Sequence, residues 1–177
     1  MIKKLAFLFS VLCMICFTGH SQFKLPKFYV GFHGIYGSPI DATLTKNYNY
    51  GLGADAEAGL GFGKTMVTAS LGYINYAATD NTKGALSFFP IKANVRQYFL
   101  LGLFANAGLG VGLQSAPTPS SVAAIQFDNS SNLLYEAGVG FKLIGIEGML
   151  NYGSWKNSTT NTWNSNWLFK LGYALKL

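Results

Sequence analysis

The chain has 177 residues, of which 50% are hydrophobic and 15% aromatic, while only 11% are charged. A water-soluble domain typically carries about 25% charged residues, so this composition argues against a soluble protein. The formal net charge of +6 comes from scattered basic residues, a distribution that gives no support for nucleic-acid binding.

Residues 1–21 have the features of a cleavable secretory signal peptide. Two lysines precede the apolar run Leu5–Phe17, and small residues follow at Gly19 and Ser21. A helix that crosses a membrane needs about 20 apolar residues, more than this run contains. Both cysteines of the chain lie in this segment. We therefore expect one mature domain, residues 22–177, without disulfides, thiol catalysis or a cysteine metal site.

Beyond the signal, the sequence offers no helix that could cross a membrane. The longest apolar stretch, Tyr98–Leu113, is interrupted by Asn106 and by glycines that disfavour a helix. In lipid, every backbone polar group must be paired within the protein. A hydrophobic chain without a spanning helix therefore favours a closed β-barrel.

Period-two alternation predicts eight strands. In seven of them the apolar residues share one parity, and the polar residues and glycines share the other. The first strand fits less well, because Ile35 would point inward among polar residues. In chain order the predicted strands are Phe28–Tyr36, Tyr50–Phe62, Val67–Tyr73, Phe89–Val95, Leu103–Gln114, Tyr135–Leu143, Ile146–Tyr152 and Trp167–Leu177.

The connections between these strands are alternately long and short. Outer-membrane barrels have short periplasmic turns and longer extracellular loops. The pattern therefore predicts an all-β, eight-stranded antiparallel transmembrane up-and-down β-barrel with both termini on the periplasmic side. The short connections are Gly63-Lys64, residues 99–101 and Ile144-Gly145, and the long ones are Ser38–Asn49, Ala77–Gly84, Ser115–Ser131 and Ser154–Ser165.

Two of the short turns also predict which residues face each other. A two-residue turn at Ile144-Gly145 would place Lys142 opposite Glu147 on the inner face. A turn at Gly63-Lys64 would likewise keep apolar residues opposite apolar residues. Both registers preserve the inner and outer faces, which a random alternation would not do consistently.

The charged residues of the second to eighth strands all fall on the inner face. A charge facing lipid at mid-depth would cost about 2 to 4 kcal/mol. The interior of an eight-stranded barrel is just wide enough for side chains to fill it, so we expect these charges to pair across the lumen. The predicted lumen charge network is Asp55, Glu57, Lys92, Arg96, Glu136, Lys142, Glu147 and Lys170, with Lys176 on the same face.

Few residues are candidates for chemistry. His33 is the only histidine left after signal cleavage, and its inward parity predicts a hydrogen-bonded lumen residue. No grouping of serine, histidine and acid is visible near the loop ends. We therefore predict no catalytic, cofactor-binding or metal-binding residue. Trp155, Trp163 and Trp167 are typical of an interfacial aromatic girdle.

The last strand ends in a specific pattern. Lys170 is followed two residues later by Gly172, and apolar residues occupy the third-last and last positions, Leu175 and Leu177. This pattern resembles the C-terminal assembly signal of outer-membrane barrels, although the last residue is not the usual aromatic.

With the signal peptide and the segments Phe89–Ile91 and Arg96–Phe99, the mature chain resembles the outer-membrane protein β-barrel domain family, of small porin-like, OmpA/OmpX type. The resemblance covers essentially the whole mature chain. It implies the gram-negative outer membrane as location after signal cleavage. It also implies outer-membrane lipid, the barrel-assembly machinery and other outer-membrane proteins as partners.

The sequence favours a non-enzymatic role, in which the barrel stabilises the membrane, presents its surface loops or joins a larger outer-membrane assembly. Two alternatives stay open. A narrow conduit or a carrier of hydrophobic ligands would need an unfilled lumen or a lateral gap. A lipid-modifying enzyme would need a catalytic grouping around His33.

Overall fold

The protein is a closed, all-antiparallel β-barrel, as the sequence predicts. The computed structural model describes residues 25–80, 84–115, 127–157 and 161–176, so the predicted signal peptide and Leu177 lie outside the described residues. Each strand pairs with the next, and β8 pairs with β1 to close the barrel. The elements are β1 Lys27–Pro39, α1 Ala42–Asn47, β2 Tyr48–Phe62, β3 Thr65–Ala78, β4 Leu86–Tyr98, β5 Leu103–Ser115, β6 Phe127–Leu143, β7 Ile146–Asn157 and β8 Thr162–Lys176.

Alternation fixes which side chains face lipid and which face the lumen. Successive residues of a strand point to opposite faces, so β1 is alternately exposed and buried along its length. Its apolar Phe32 is 65% exposed on the outer face. Ile35, the predicted exception, does point inward and is 4% exposed. The outer face is therefore an apolar belt and the inner face a packed interior.

The short connections lie together at one end, which we call the turn end; the opposite end is the loop end. Both predicted registers are confirmed, since Lys142 pairs with Glu147 and Leu60 with Val67. At the turn between β6 and β7, Ile144 has φ 48° and Gly145 has φ 87°. Two positive φ angles in a row match the twist of a tight hairpin.

The strands run further toward the loop end than the sequence predicts. The stretch Ser154–Ser165, expected to be a loop, belongs largely to β7 and β8, and β6 begins at Phe127 rather than at Tyr135. Polar side chains favour a loop prediction here, but strands pair through hydrogen bonds of the backbone, which these residues can also make. Ser154 and Ser165 face each other across it, with their Oγ atoms 3.0 Å apart.

The predicted loop Ser38–Asn49 contains the short helix α1. One Asp41 carboxylate oxygen caps the helix by accepting from the backbone N–H of Thr43 at 3.0 Å and of Leu44 at 2.9 Å. The other oxygen accepts from the Ser165 N–H at 2.7 Å. This ties α1 to β8 across the loop end, with Leu44 buried in the barrel. In the described residues, no helix is long and apolar enough to cross a membrane.

Ile144 occupies a conformation that suits it poorly. A left-handed residue costs about 1 to 2 kcal/mol unless it is Gly, Asn or Asp, and Ile144 is exposed, so little packing offsets this cost. We expect Ile144→Asn to raise the free energy of unfolding by about 1 kcal/mol, measured by urea denaturation in lipid vesicles. Ile144→Val keeps the branched side chain and should give no gain; an equal gain from both variants would contradict the explanation.

The end of β8 closes the sheet, because its residues 173–176 pair with Tyr29–Phe32 of β1. Removing residues 173–177 should open a sheet edge that lipid cannot satisfy. We expect the shortened chain to lose the gel shift between heated and unheated samples that folded barrels show. Deleting five residues within 116–126, between β5 and β6, is the length-matched control. A normal shift in the truncated chain would show that closure does not need these pairs.

Candidate functional site

The barrel interior is the candidate site, because it gathers nearly all the buried polar groups of the described residues. It has two layers of charge, one in the middle of the barrel and one nearer the turn end. A third, apolar layer fills the half next to the loops. Each layer is built from inward positions of several strands.

The middle layer centres on Lys170. Its Nζ donates to Asp55 Oδ2 at 3.1 Å and to Glu136 Oε1 at 2.6 Å. Lys92 Nζ donates to the other oxygen of Glu136 at 2.5 Å, and the Asn151 amide donates to Glu136 Oε1 at 2.6 Å. All five residues are buried. Four strands besides β8 are therefore joined to Lys170, directly or through Glu136.

The second layer centres on Arg96. Its guanidinium bridges Glu57 and Glu147, with 2.7 Å to Glu147 Oε2. The Tyr29 hydroxyl donates to that same Glu147 oxygen at 2.6 Å. The Tyr29 and Phe104 ring centroids each lie 5.0 Å from the guanidinium carbon. Arg96 is thus paired with two acids and enclosed by aromatic rings, an arrangement that suits its planar, delocalised charge.

His33 connects the two layers. Its Nδ1 lies 2.8 Å from Asp55 Oδ1 and its Nε2 lies 3.3 Å from Glu147 Oε2. Sequence reasoning did not identify these acidic partners, although His33 and Asp55 face each other in the β1–β2 ladder. Because eight residues connect those two strands, the sequence alone does not predict which of their residues pair. Both ring nitrogens face acidic partners, and His33 is 2% exposed. His33 therefore has a structural role, in which it links the two charged layers.

The structure thus places all eight residues of the predicted network on the inner wall and brings them into ion pairs. Lys142 is the most peripheral, with its Nζ 3.4 Å from Glu147 Oε1. Sequence reasoning missed Tyr29, which shares the inward parity of His33. Removing one partner of a buried ion pair leaves an uncompensated charge and costs about 3 to 5 kcal/mol. The network therefore depends on every member being present.

The apolar layer fills the lumen next to the loops. The Trp155 ring stacks on Phe88 with centroids 4.5 Å apart and lies 5.9 Å from Tyr76. Sequence reasoning expected polar side chains here and missed this layer. The buried members of this apolar plug are Ile35, Leu44, Ile74, Tyr76, Leu86, Phe88, Leu134, Trp155 and Leu168.

The prediction that Trp155 belongs to an interfacial girdle is wrong. Its side chain is 1% exposed, because β7 continues past Tyr152 and gives Trp155 the inward parity of Glu147. Trp163 and Trp167 do face outward, and each is 43% exposed. Counting alternate residues from Glu147 along an uninterrupted β7 would have predicted that Trp155 faces inward.

Little free space remains where the plug meets the middle layer. A cavity between Trp155, Lys92 and Lys170 measures about 10 Å³, roughly the space of one water-sized sphere. Within the described part of the chain, no three His, Cys, Asp or Glu side chains are placed to hold a metal ion.

The residues of the predicted assembly signal have different surroundings. Lys170 belongs to the charge network, and Leu175 faces outward. Gly172 lies opposite His33, where a Cβ atom would come 2.6 Å from the His33 Cα. Gly172 therefore has a packing reason of its own. Leu177 lies outside the described residues, and recognition by the assembly machinery stays a prediction.

Comparison with protein-family models and with curated proteins finds no match for this chain. Solved structures do match. The N-terminal β-barrel domain of Pseudomonas aeruginosa OprF gives a TM-score of 0.60 at 11% identity, covering 83% of this chain and 97% of that one. Yersinia pestis Ail, in complex with the heparin analogue sucrose octasulfate, gives 0.55 at 17% identity, covering 85% and 97%.

Neisserial surface protein A gives a TM-score of 0.54 at 14% identity, covering 85% of this chain and 96% of that one. Identities this low show the fold alone. All three are small barrels of the gram-negative outer membrane. The chain therefore has the fold of the eight-stranded outer-membrane β-barrels.

Proposed function

We propose that the mature chain is a non-enzymatic outer-membrane barrel with a sealed lumen, which acts through its surfaces in a structural or interaction role. The observation that carries this proposal is the continuous filling of the interior. The apolar plug, which includes Leu44 of α1, fills the half of the lumen next to the loops, and the two charged layers follow. A barrel filled in this way has its outer surfaces free for function and its interior committed to stability.

The exterior supports placement in the outer membrane after signal cleavage. Large apolar side chains are exposed around the barrel, among them Leu109 and Leu171, each 65% exposed. Exposed patches of this extent are unfavourable in water and favourable in lipid. Tyr152 and Trp167 lie edge to face near the loop end, with centroids 5.7 Å apart, as in an interfacial girdle. We orient the loop end to the cell exterior and the turn end to the periplasm.

A role through binding also has support from similar structures. Ail is named as an attachment invasion locus protein and was solved with a heparin analogue, so a barrel of this fold can bind a ligand. For this chain, surface loops that contact other molecules and a barrel that joins a larger outer-membrane assembly are both consistent with a sealed interior.

The alternatives need changes in the interior. A conduit or a carrier of hydrophobic ligands would require the plug around Trp155 and Phe88 to leave the lumen. A lipid-modifying enzyme would require His33 to reach a substrate, whereas its ring nitrogens face Asp55 and Glu147.

Electrical recording tests the seal directly. We expect purified wild-type protein in planar bilayers to give no sustained conductance steps, because the plug and the ion pairs leave no continuous path for water. Insertion is checked in the same preparation by the gel shift on heating. Regular single-channel steps from protein that passes this check would favour the conduit instead.

We expect the two charged layers to stabilise the folded barrel. Lys170→Met removes the ammonium that joins Asp55 to Glu136, and we expect it to lower the free energy of unfolding by about 3 kcal/mol. The measurement is urea denaturation in lipid vesicles. Lys46→Met, at an exposed lysine of α1, is the matched control and should change little. Equal effects of the two substitutions would show that the middle layer contributes no special stability.

A further inference from the structure

A small cavity lies in the lumen where the apolar plug meets the middle layer of charge. Its volume is about 10 Å³, roughly the space of one water-sized sphere. It is lined by Gly153 and Trp155 of β7 and Asn166 of β8, together with Lys92 and Glu136 of the middle layer. We call this space the junction cavity.

Two polar atoms of this lining have no hydrogen-bond partner among the described residues. They are the indole Nε1 of Trp155, a donor, and the side-chain Oδ1 of Asn166, an acceptor. Trp155 is 1% exposed and Asn166 2%, so bulk water does not reach either atom. A buried polar atom without a partner is strongly unfavourable, and most such atoms in proteins are bonded directly or through an ordered water.

The β7–β8 ladder holds the two atoms apart. Asn166 pairs with Gly153, and Trp155 pairs with Asn164. Trp155 and Asn166 are therefore diagonal neighbours, which lie about 7 to 8 Å apart in a sheet. Gly153 adds no side chain between them, and a Cβ atom there would come 3.0 Å from Asn166 Oδ1. The ladder thus leaves room for a small molecule between the donor and the acceptor.

Neither side chain can turn freely to find another partner. The Trp155 ring stacks on Phe88 with centroids 4.5 Å apart, which fixes the direction of its N–H. The Asn166 amide donates to the Tyr76 hydroxyl, which leaves Oδ1 as the acceptor. The donor and the acceptor therefore need a bridging molecule that can both accept and donate.

The rest of the lining decides which molecule this is. Lys92 Nζ carries three N–H groups and donates one of them to Glu136, so a further donor is at hand. The buried ammonium groups of Lys92 and Lys170 disfavour a cation. The volume excludes molecules larger than water, and cavities of this size hold water when they are polar and stay dry when they are apolar.

We propose that the junction cavity is a binding site for one long-lived water molecule. The water accepts from the Trp155 indole N–H and donates to Asn166 Oδ1, and Lys92 supplies a second donor. It thereby joins the plug to the middle layer through hydrogen bonds. The site requires only the folded barrel, and it is the same whether the protein acts through its loops or within an assembly.

The test is solution NMR on the whole mature barrel in zwitterionic detergent micelles, with its tryptophan indoles isotope-labelled. The readout is the cross peak between an indole N–H and the water resonance. In a rotating-frame experiment, dipolar contact with a bound water and proton exchange give cross peaks of opposite sign. We expect a dipolar cross peak for Trp155, whose signal is identified by its loss in Trp155→Phe. Trp163 and Trp167, which face outward, should show no contact with a long-lived water.

Three further variants assign the contact, and the gel shift on heating checks that each one folds. Asn166→Leu removes the acceptor and should abolish the cross peak. Asn164→Leu, at the preceding inward position of β8, is the matched control and should keep it. Tyr76→Phe removes the hydroxyl nearest to Asn166 Nδ2 and should also keep it, because the water does not depend on that proton.

A Trp155 indole without dipolar contact to water would overturn the proposal. A contact that survives Asn166→Leu would do the same, and so would one that disappears in Tyr76→Phe or in Asn164→Leu. Where Asn166→Leu does not fold, the contact in wild type and in Tyr76→Phe decides the question.

These outcomes are separable from those that concern the seal. A folded, non-conducting barrel whose Trp155 does not contact water would refute the water site and leave the proposed function intact. Sustained conductance would refute the sealed lumen whichever result the NMR experiment gives.

Discussion

Closure of the sheet is the constraint on which the rest of the molecule depends. In lipid an unpaired strand edge has no water to bond to, so β8 must pair with β1. Once the ring is closed, period-two geometry leaves each side chain only two environments, the lipid and a narrow interior. Polar side chains must then find hydrogen-bond partners in the interior, whereas apolar side chains can face either the lipid or the interior.

The interior solves this requirement in two ways along its length. Toward the turns, charges are paired in chains, in which Arg96 and Lys170 each bridge two carboxylates. Toward the loops, aromatic and aliphatic side chains pack around Trp155. Buried ion pairs require accurate geometry to offset their desolvation, whereas apolar packing tolerates more variation. The charged half therefore fixes register and the apolar half fills volume.

Much of the fold could be predicted because one periodicity governs it. The number of strands, their faces and the two turn registers follow from alternation and from the cost of charge in lipid. Partner choice could not be predicted, because ion pairs across the lumen depend on how all eight strands are staggered. The Asp55 partner of His33 is one example. Helix α1 could have been predicted, since Asp41 before Ala42 is a typical helix cap.

Most ion pairs of the lumen join strands that are not consecutive in the chain. Lys170 and Asp55 are separated by 115 positions, and Arg96 and Glu147 by 51. Neither the Lys170–Asp55 pair nor the Arg96–Glu147 pair can form within a single hairpin, so a half-assembled sheet would leave both pairs unmade. Neutralisation and closure therefore occur together. The barrel should behave as one cooperative unit, in which an opening at any seam exposes charge and is strongly disfavoured until the whole sheet separates.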